Sequence, residues 1–217
     1  IQVQSNGGLI VAIISNAVTI ADAGAFSASL GAMTLIKTLT ASSSGTLSFV
    51  HGTDDVVLDS TYPVYKFEFI NIHPSGTNPN FSFNMSTDSG SNYNVTKTST
   101  FIVVYHLQTT GAVTFGYDTG FDLAQSTAFQ SINPKIGGGA DENGSGTLTI
   151  FNPSSTTFVK HFISSGATHS HSGFPASYRN EVAGYGNTTS AVNAIRFQMD
   201  SGNMDAGKIK LYGIKDS

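Results

Sequence analysis

The sequence predicts an all-β chain, an antiparallel jelly-roll-like β-sandwich with an extended N-terminal arm. Three observations point there. Short runs of alternating apolar and polar residues recur along the chain, the period of half-buried strands. Clusters of Gly, Asn, Ser, Asp and Pro separate these runs, as turns require. Helical spacing is confined to Gly120–Ile132, where Phe121, Ala124, Ala128 and Phe129 predict one short helix.

Residues 1–25 contain no aromatic residue and are rich in Ala and Ile. Their run "GLIVAIISNAVTIA" (Gly8 to Ala21) is apolar at successive positions, so an extended chain would be hydrophobic on both faces. With Gly7 and Gly8 before it and "ADAGA" after it as joints, it reads as an arm that packs on a neighbouring subunit. The expected assembly is a homo-oligomer, a trimer, held through this arm.

From Phe26 onward aromatics appear every few residues, and residues 26–217 read as the sandwich domain. Its strands are "MTLIKTLT", "GTLSFV", "YKFEFINI", "FSFNMS", "TFIVVYHL", "AVTFGY", "GTLTIF", "TFVKHFI", "AIRFQM" and "KIKLYGI". About ten short strands with Gly-rich turns make a sandwich or barrel. Phe67 or Phe69, Phe83, Val103, Ile150, Phe197 and Leu211 lie mid-strand on the apolar phase and are the expected core. "SSGTLSF" and "GSGTLTI" match over only a few residues and read as two strands that each follow a turn.

Composition narrows the function classes. Charged residues are 11% of the 217, against about a quarter in ordinary domains, so Ser, Thr, Asn and Gly must solvate the surface. Net charge −4 with ten Lys plus Arg argues against nucleic acid as a partner. The absence of Cys excludes disulfides and thiolate metal sites. No run approaches the roughly 18–20 apolar residues of a spanning helix, and no membrane insertion is expected. The chain starts at Ile1 without a methionine, so no leader is inferred or excluded.

Chemistry-bearing motifs are few. There is no Gly-x-Ser-x-Gly elbow, phosphate loop or metalloprotease signature, and the only glutamates are Glu68, Glu142 and Glu181. The expectation is no enzyme and no cofactor. His169 and His171 stand two apart in "THSHSG", so in an extended segment both imidazoles face one way. They are the weak candidates for a metal on a three-fold axis, but the polar surroundings predict a solvated loop without metal. Asp88 in "STDSGSN" lacks the partner Glu of a calcium loop and reads as a turn cap. "GGGADENG" reads as a mobile loop. Tyr117, Tyr178, Arg179 and Tyr185 are the receptor-binding candidates, because loop tyrosines beside Asn, Asp or Arg can stack on a sugar and hydrogen-bond its hydroxyls.

Four longer segments, "YPVYKFEFINIHPS", "FSFNMSTDSGSNYNVTKTSTF", "TLTIFNPSSTTFVKHFI" and "VAGYGNTTSAVNAIRFQMDSGNMDAGKIKLYGIK", together resemble a β-sandwich domain of marine tailed-bacteriophage virion proteins, especially predicted tail-fibre or appendage proteins. The resemblance covers roughly Ala32 to Ile214. It implies a structural protein displayed on the virion, a tail-fibre or appendage module for host attachment. Its partners would be copies of itself, other virion proteins and a host surface glycan. A capsid-decorating (cement) protein and a secreted carbohydrate-binding module are the alternatives. Residues 1–25 and "GATHSHSGFPASYRN" (Gly166 to Asn180), read as a loop, fall outside the resemblance.

Overall fold

The structure, a computed structural model, describes residues 2–5, 11–15, 18–22, 25–26, 32–171 and 173–216. The chain divides into two compact units, Ile1–Thr34 and Leu35–Asp216, further along than the expected division after residue 25. In the first unit β1 (Gln2–Ser5), β2 (Val11–Ser15), β3 (Val18–Asp22) and β4 (Ala25–Phe26) pair in sequence order as an antiparallel meander. Its described backbone therefore folds back in hairpins. The expected joint at Gly7 and Gly8 lies outside the described residues.

The second unit is all-β, with two antiparallel sheets. The larger has the order β10-β9-β14-β13-β12-β7-β16-β5. Its strands are β5 (Met33–Thr40), β7 (Val64–Pro74), β9 (Lys97–Leu107), β10 (Val113–Tyr117), β12 (Gly144–Phe151), β13 (Lys160–His169), β14 (Ala176–Gly186) and β16 (Met204–Ile214). The smaller has the order β11-β8-β15-β6, from β6 (Thr46–Val50), β8 (Phe81–Ser86), β11 (Gln130–Asn133) and β15 (Ala194–Met199). The chain passes between the sheets repeatedly, and most pairings join strands distant in sequence.

Alternation decides which side chains enter the core. In β7, Tyr65, Phe67 and Phe69 are buried while Lys66 and Glu68 face outward, paired at 2.9 Å. Leu148 and Ile150, Phe101 and Val103, and Ile209 and Leu211 follow the same rule. Opposite them stand Phe49, Phe81, Phe83, Met85 and Phe197 from the smaller sheet. All the expected core residues are buried, Phe67 and Phe69 alike. β8 is buried on both phases, because loops cover its outer, polar side: Asn84 Nδ2 donates to the carbonyls of Tyr93 and Thr127 at 2.6 and 2.9 Å.

Three expectations are corrected. Gly120–Ile132 forms no helix: it is a loop that runs into β11. Its backbone is spent on the edge of β9 instead, with Lys97 N donating to Ser126 O, Ser126 N to Lys97 O and Ser99 N to Leu123 O at 2.8–2.9 Å. Gln125 takes a positive φ of 47° within it, which ends helical geometry. Second, Gly166–Asn180 is a hairpin: β13 and β14 pair from Lys160↔Gly186 to His169↔Ser177, with a short turn between. Third, "GGGADENG" is a closed turn around Glu142, which is 6% exposed and accepts the Gly139 N–H at 2.6 Å. A Cβ on Gly137 or Gly139 would meet the Glu142 carboxylate. These glycines serve close approach, not looseness.

Asp88 caps its turn as expected. Its Oδ1 accepts from Ser86 Oγ at 2.6 Å and Asn92 N at 2.9 Å, and its Oδ2 accepts from Asn92 Nδ2 at 2.7 Å.

Candidate functional site

The most chemically varied concavity is a cleft of about 320 Å³ at one end of the sandwich, within the size range of small-ligand sites. The β13–β14 hairpin and its register build one wall. Tyr178 on β14 lies directly opposite Tyr105 on β9, their rings 5.1 Å apart and tilted by 35°. Phe174, in the turn, meets Tyr105 edge-on at 5.6 Å. Three aromatic rings thus form a continuous wall, which grades from buried Tyr178 (4%) to exposed Phe174 (38%).

Hydrogen bonds fix the turn that carries Phe174. Phe174 N donates to His171 O at 2.9 Å and Ser170 N to Ala176 O at 3.1 Å, while the Ser170 hydroxyl donates to Phe174 O. Gly173 N donates to His171 Nδ1 at 3.1 Å, so in the neutral ring the proton sits on Nε2, a hydrogen-bond donor.

Polar residues complete the cleft. Asn78 and Lys135 line it, both with left-handed backbones at φ 75° and 57°. The two loops are stitched together: Asn78 N donates to Ile136 O at 2.9 Å and Ile136 N to Pro79 O at 3.0 Å. Lys135 N donates to Asn80 Oδ1 at 3.0 Å, which stabilises its backbone in that region. Burial pushes the Tyr178 phenol up, with Tyr105 and Asp118 adding smaller effects in the same direction. Asp118 itself accepts the Gly120 N–H at 2.9 Å and does not line the cleft.

A second concavity, a shallow groove of about 430 Å³, lies on the outer face of the larger sheet. Phe151, Ile163 and Ala183 give it an apolar floor, with His161 and Tyr185 at its side, their rings 6.2 Å apart.

The structure separates the four receptor-binding candidates. Tyr178 alone lines the end cleft, and it is a buried strand residue, not an exposed loop tyrosine. Arg179, next in the strand, points to the opposite face and pairs with Glu181 at 2.5 Å. Tyr185 lies in β14 and lines the groove. Tyr117 is the last residue of edge strand β10, 53% exposed. Its hydroxyl donates to Asp122 Oδ2 at 2.6 Å, and that bond holds its pKa above the ordinary value. The expectation that all four sit on loops is therefore corrected: pairing of β14 with both β9 and β13 makes strand of three of them, and β10 takes the fourth.

His169 ends β13, half-buried, with Nε2 3.1 Å from Gln108 Nε2. His171 lies in the turn after β13, half-buried, and lines the cleft; the loop expectation is corrected for His169 alone, which is a strand residue. Among the described residues no group of three or more His, Cys, Asp or Glu side chains is placed to hold a metal. Asn78, Tyr105, Lys135, Ser170 and Phe174 were not legible as site residues. Only the placement of the variable-looking segment 166–180 pointed towards the cleft. No family model matches the chain, and no curated protein or solved structure is significantly similar to it.

Proposed function

We propose that the chain is a displayed attachment module of a bacteriophage virion, a sandwich of jelly-roll-like winding whose end cleft binds a saccharide of the host surface. Binding without catalysis is the reading, with the first unit serving assembly into a homotrimer alongside other virion proteins. One observation carries the saccharide reading: Tyr105, Phe174 and Tyr178 share the lining of one cleft with Asn78 and Lys135. Apolar sugar faces stack on aromatic rings while hydroxyls take fixed polar partners. The resemblance of Ala32 to Ile214 to virion domains supplies the setting.

Binding by the full chain to a panel of bacterial surface oligosaccharides tests this. Phe174→Ala should weaken binding about tenfold with the melting temperature almost unchanged, since Phe174 is 38% exposed. Unchanged binding in Phe174→Ala would move the site elsewhere, with the outer groove around Tyr185 next to be tested.

A further inference from the structure

Basic side chains are scarce here, ten in 217 residues, and half are committed. Lys97 and Lys160 are fully buried. Lys66 and Arg179 are paired with Glu68 and Glu181. The Arg196 guanidinium lies 3.9 Å from the Tyr93 ring centre. Lys135 is among the others. It lines the cleft, and no carboxylate lies within 4.0 Å of its ammonium among the described residues. Its Nζ sits 5.6 Å from the centre of the Phe121 ring.

Lys135 also occupies a costly position. Its φ of 57° is a region that Gly or Asn adopts with less strain, and the Asn80 side chain holds it there. A strained backbone at a ligand cleft is a reason to ask what the side chain does. His171 also lines the cleft, and its Nδ1 accepts the Gly173 N–H, which leaves Nε2 as the donor nitrogen. The cleft is thus lined by a lysine and a histidine, and by no Asp or Glu.

We infer that the cleft selects an anionic saccharide, a uronic acid or similarly acidic sugar, whose carboxylate is received by Lys135 and His171 while its ring lies against Tyr105 and Phe174. This rests on the saccharide reading above and adds the charge of the ligand. A carboxylate here gains charge-assisted hydrogen bonds and meets no like charge in the lining. A neutral sugar in the same place would leave the Lys135 ammonium without an ionic partner, and that difference is the selectivity.

The test uses the full chain and matched pairs of oligosaccharides that differ only in a carboxylate, such as cellobiouronic acid and cellobiose, extended through the galacto and manno series. Acetate alone serves as the free-anion control. At least one acidic member should bind about tenfold or more tighter than its neutral counterpart, and added salt should narrow the gap. Lys135→Asn, which keeps a residue at ease in the left-handed region, should erase the preference, and Lys135→Arg should keep it. Equal binding of acidic and neutral partners, indifferent to Lys135→Asn, would overturn the inference and leave the saccharide site standing. Displacement of the acidic sugar by acetate at equal concentration would reduce the cleft to a simple anion site and overturn it too. Failure of every oligosaccharide to bind would remove both readings together.

Discussion

Among single residues, Lys97 carries the largest electrostatic consequence. It is fully buried, and its Nζ donates to Asn84 Oδ1 at 2.5 Å and Val95 O at 2.8 Å, with no carboxylate partner among the described residues. Burial pushes the amine down to about 7. Two acceptors suit the two N–H bonds of a neutral amine better than the three of an ammonium. In the unfolded chain a lysine stays protonated up to about 10.4, so between about 7 and 10.4 the unfolded state holds the extra proton and stability rises with pH. Below that window the burial penalty is felt in full. Burial lowers Lys160 with the same sign. Tyr65 opposes them at higher pH: its phenol is pushed up to about 12, chiefly by burial. The unfolded tyrosine ionises near 10, and stability falls beyond it. Urea unfolding should therefore give a larger free energy at about pH 9.5 than at about pH 7. Lys97→Met should shrink that gain without abolishing it, because Lys160 remains. An undiminished gain in Lys97→Met would show that Lys97 is not its source.

At the scale of elements, β15 matters most to the core, because it lies between β8 and β6 in the smaller sheet and points Phe197 at the larger one. The Phe197 ring lies 5.2 Å from Phe67, stacks on Phe81 at 5.7 Å and meets Phe49 edge-on at 6.2 Å. Phe197→Ala should cost about 3–5 kcal/mol, read as a lower denaturation midpoint. A loss under about 1 kcal/mol would mean the aromatic cluster repacks freely. Phe197 was legible because "AIRFQM" alternates cleanly. β14 was not. "ASYRNEVAGYG" is made of small and polar residues that score poorly as strand, yet it pairs along its whole length with β9 and β13. Tertiary pairing overrides propensity there. Its glycines answer to neighbours that sequence order does not reveal: a Cβ on Gly184 would meet Phe162, and one on Gly186 would meet Met85. The cleft was hidden for the same reason. Tyr105 and Tyr178 are 73 positions apart and become neighbours only through the β9–β14 register. Lys135 gave no sign either, since nothing in "NPKIGG" announces a left-handed lysine.

At the scale of the whole molecule, the question is what the first unit can do. Its four strands have two to five residues each, and an isolated meander of that size is marginal in water. The sequence from Gly8 to Ala21 is apolar at successive positions, and Phe26 is the one aromatic residue of the unit, too few large side chains for a core of its own. Leaving such a run in water is costly, since burial of one Leu or Ile is worth about 1.5–3 kcal/mol. Under the trimer proposal, copies of the same run from neighbouring chains would cover it, and a closed ring of three would leave no open interface. The second unit, by contrast, has its own continuous core from Ala41 to Leu211. Deleting residues 1–25 should therefore leave β5 intact and yield a folded, monomeric sandwich that still binds through the end cleft. Light scattering on the full chain and on the deletion checks this directly, with circular dichroism reporting the fold. A full chain that is monomeric would refute assembly through the arm, and a deletion that remains oligomeric would locate assembly elsewhere; a deletion that unfolds would show the sandwich depends on it.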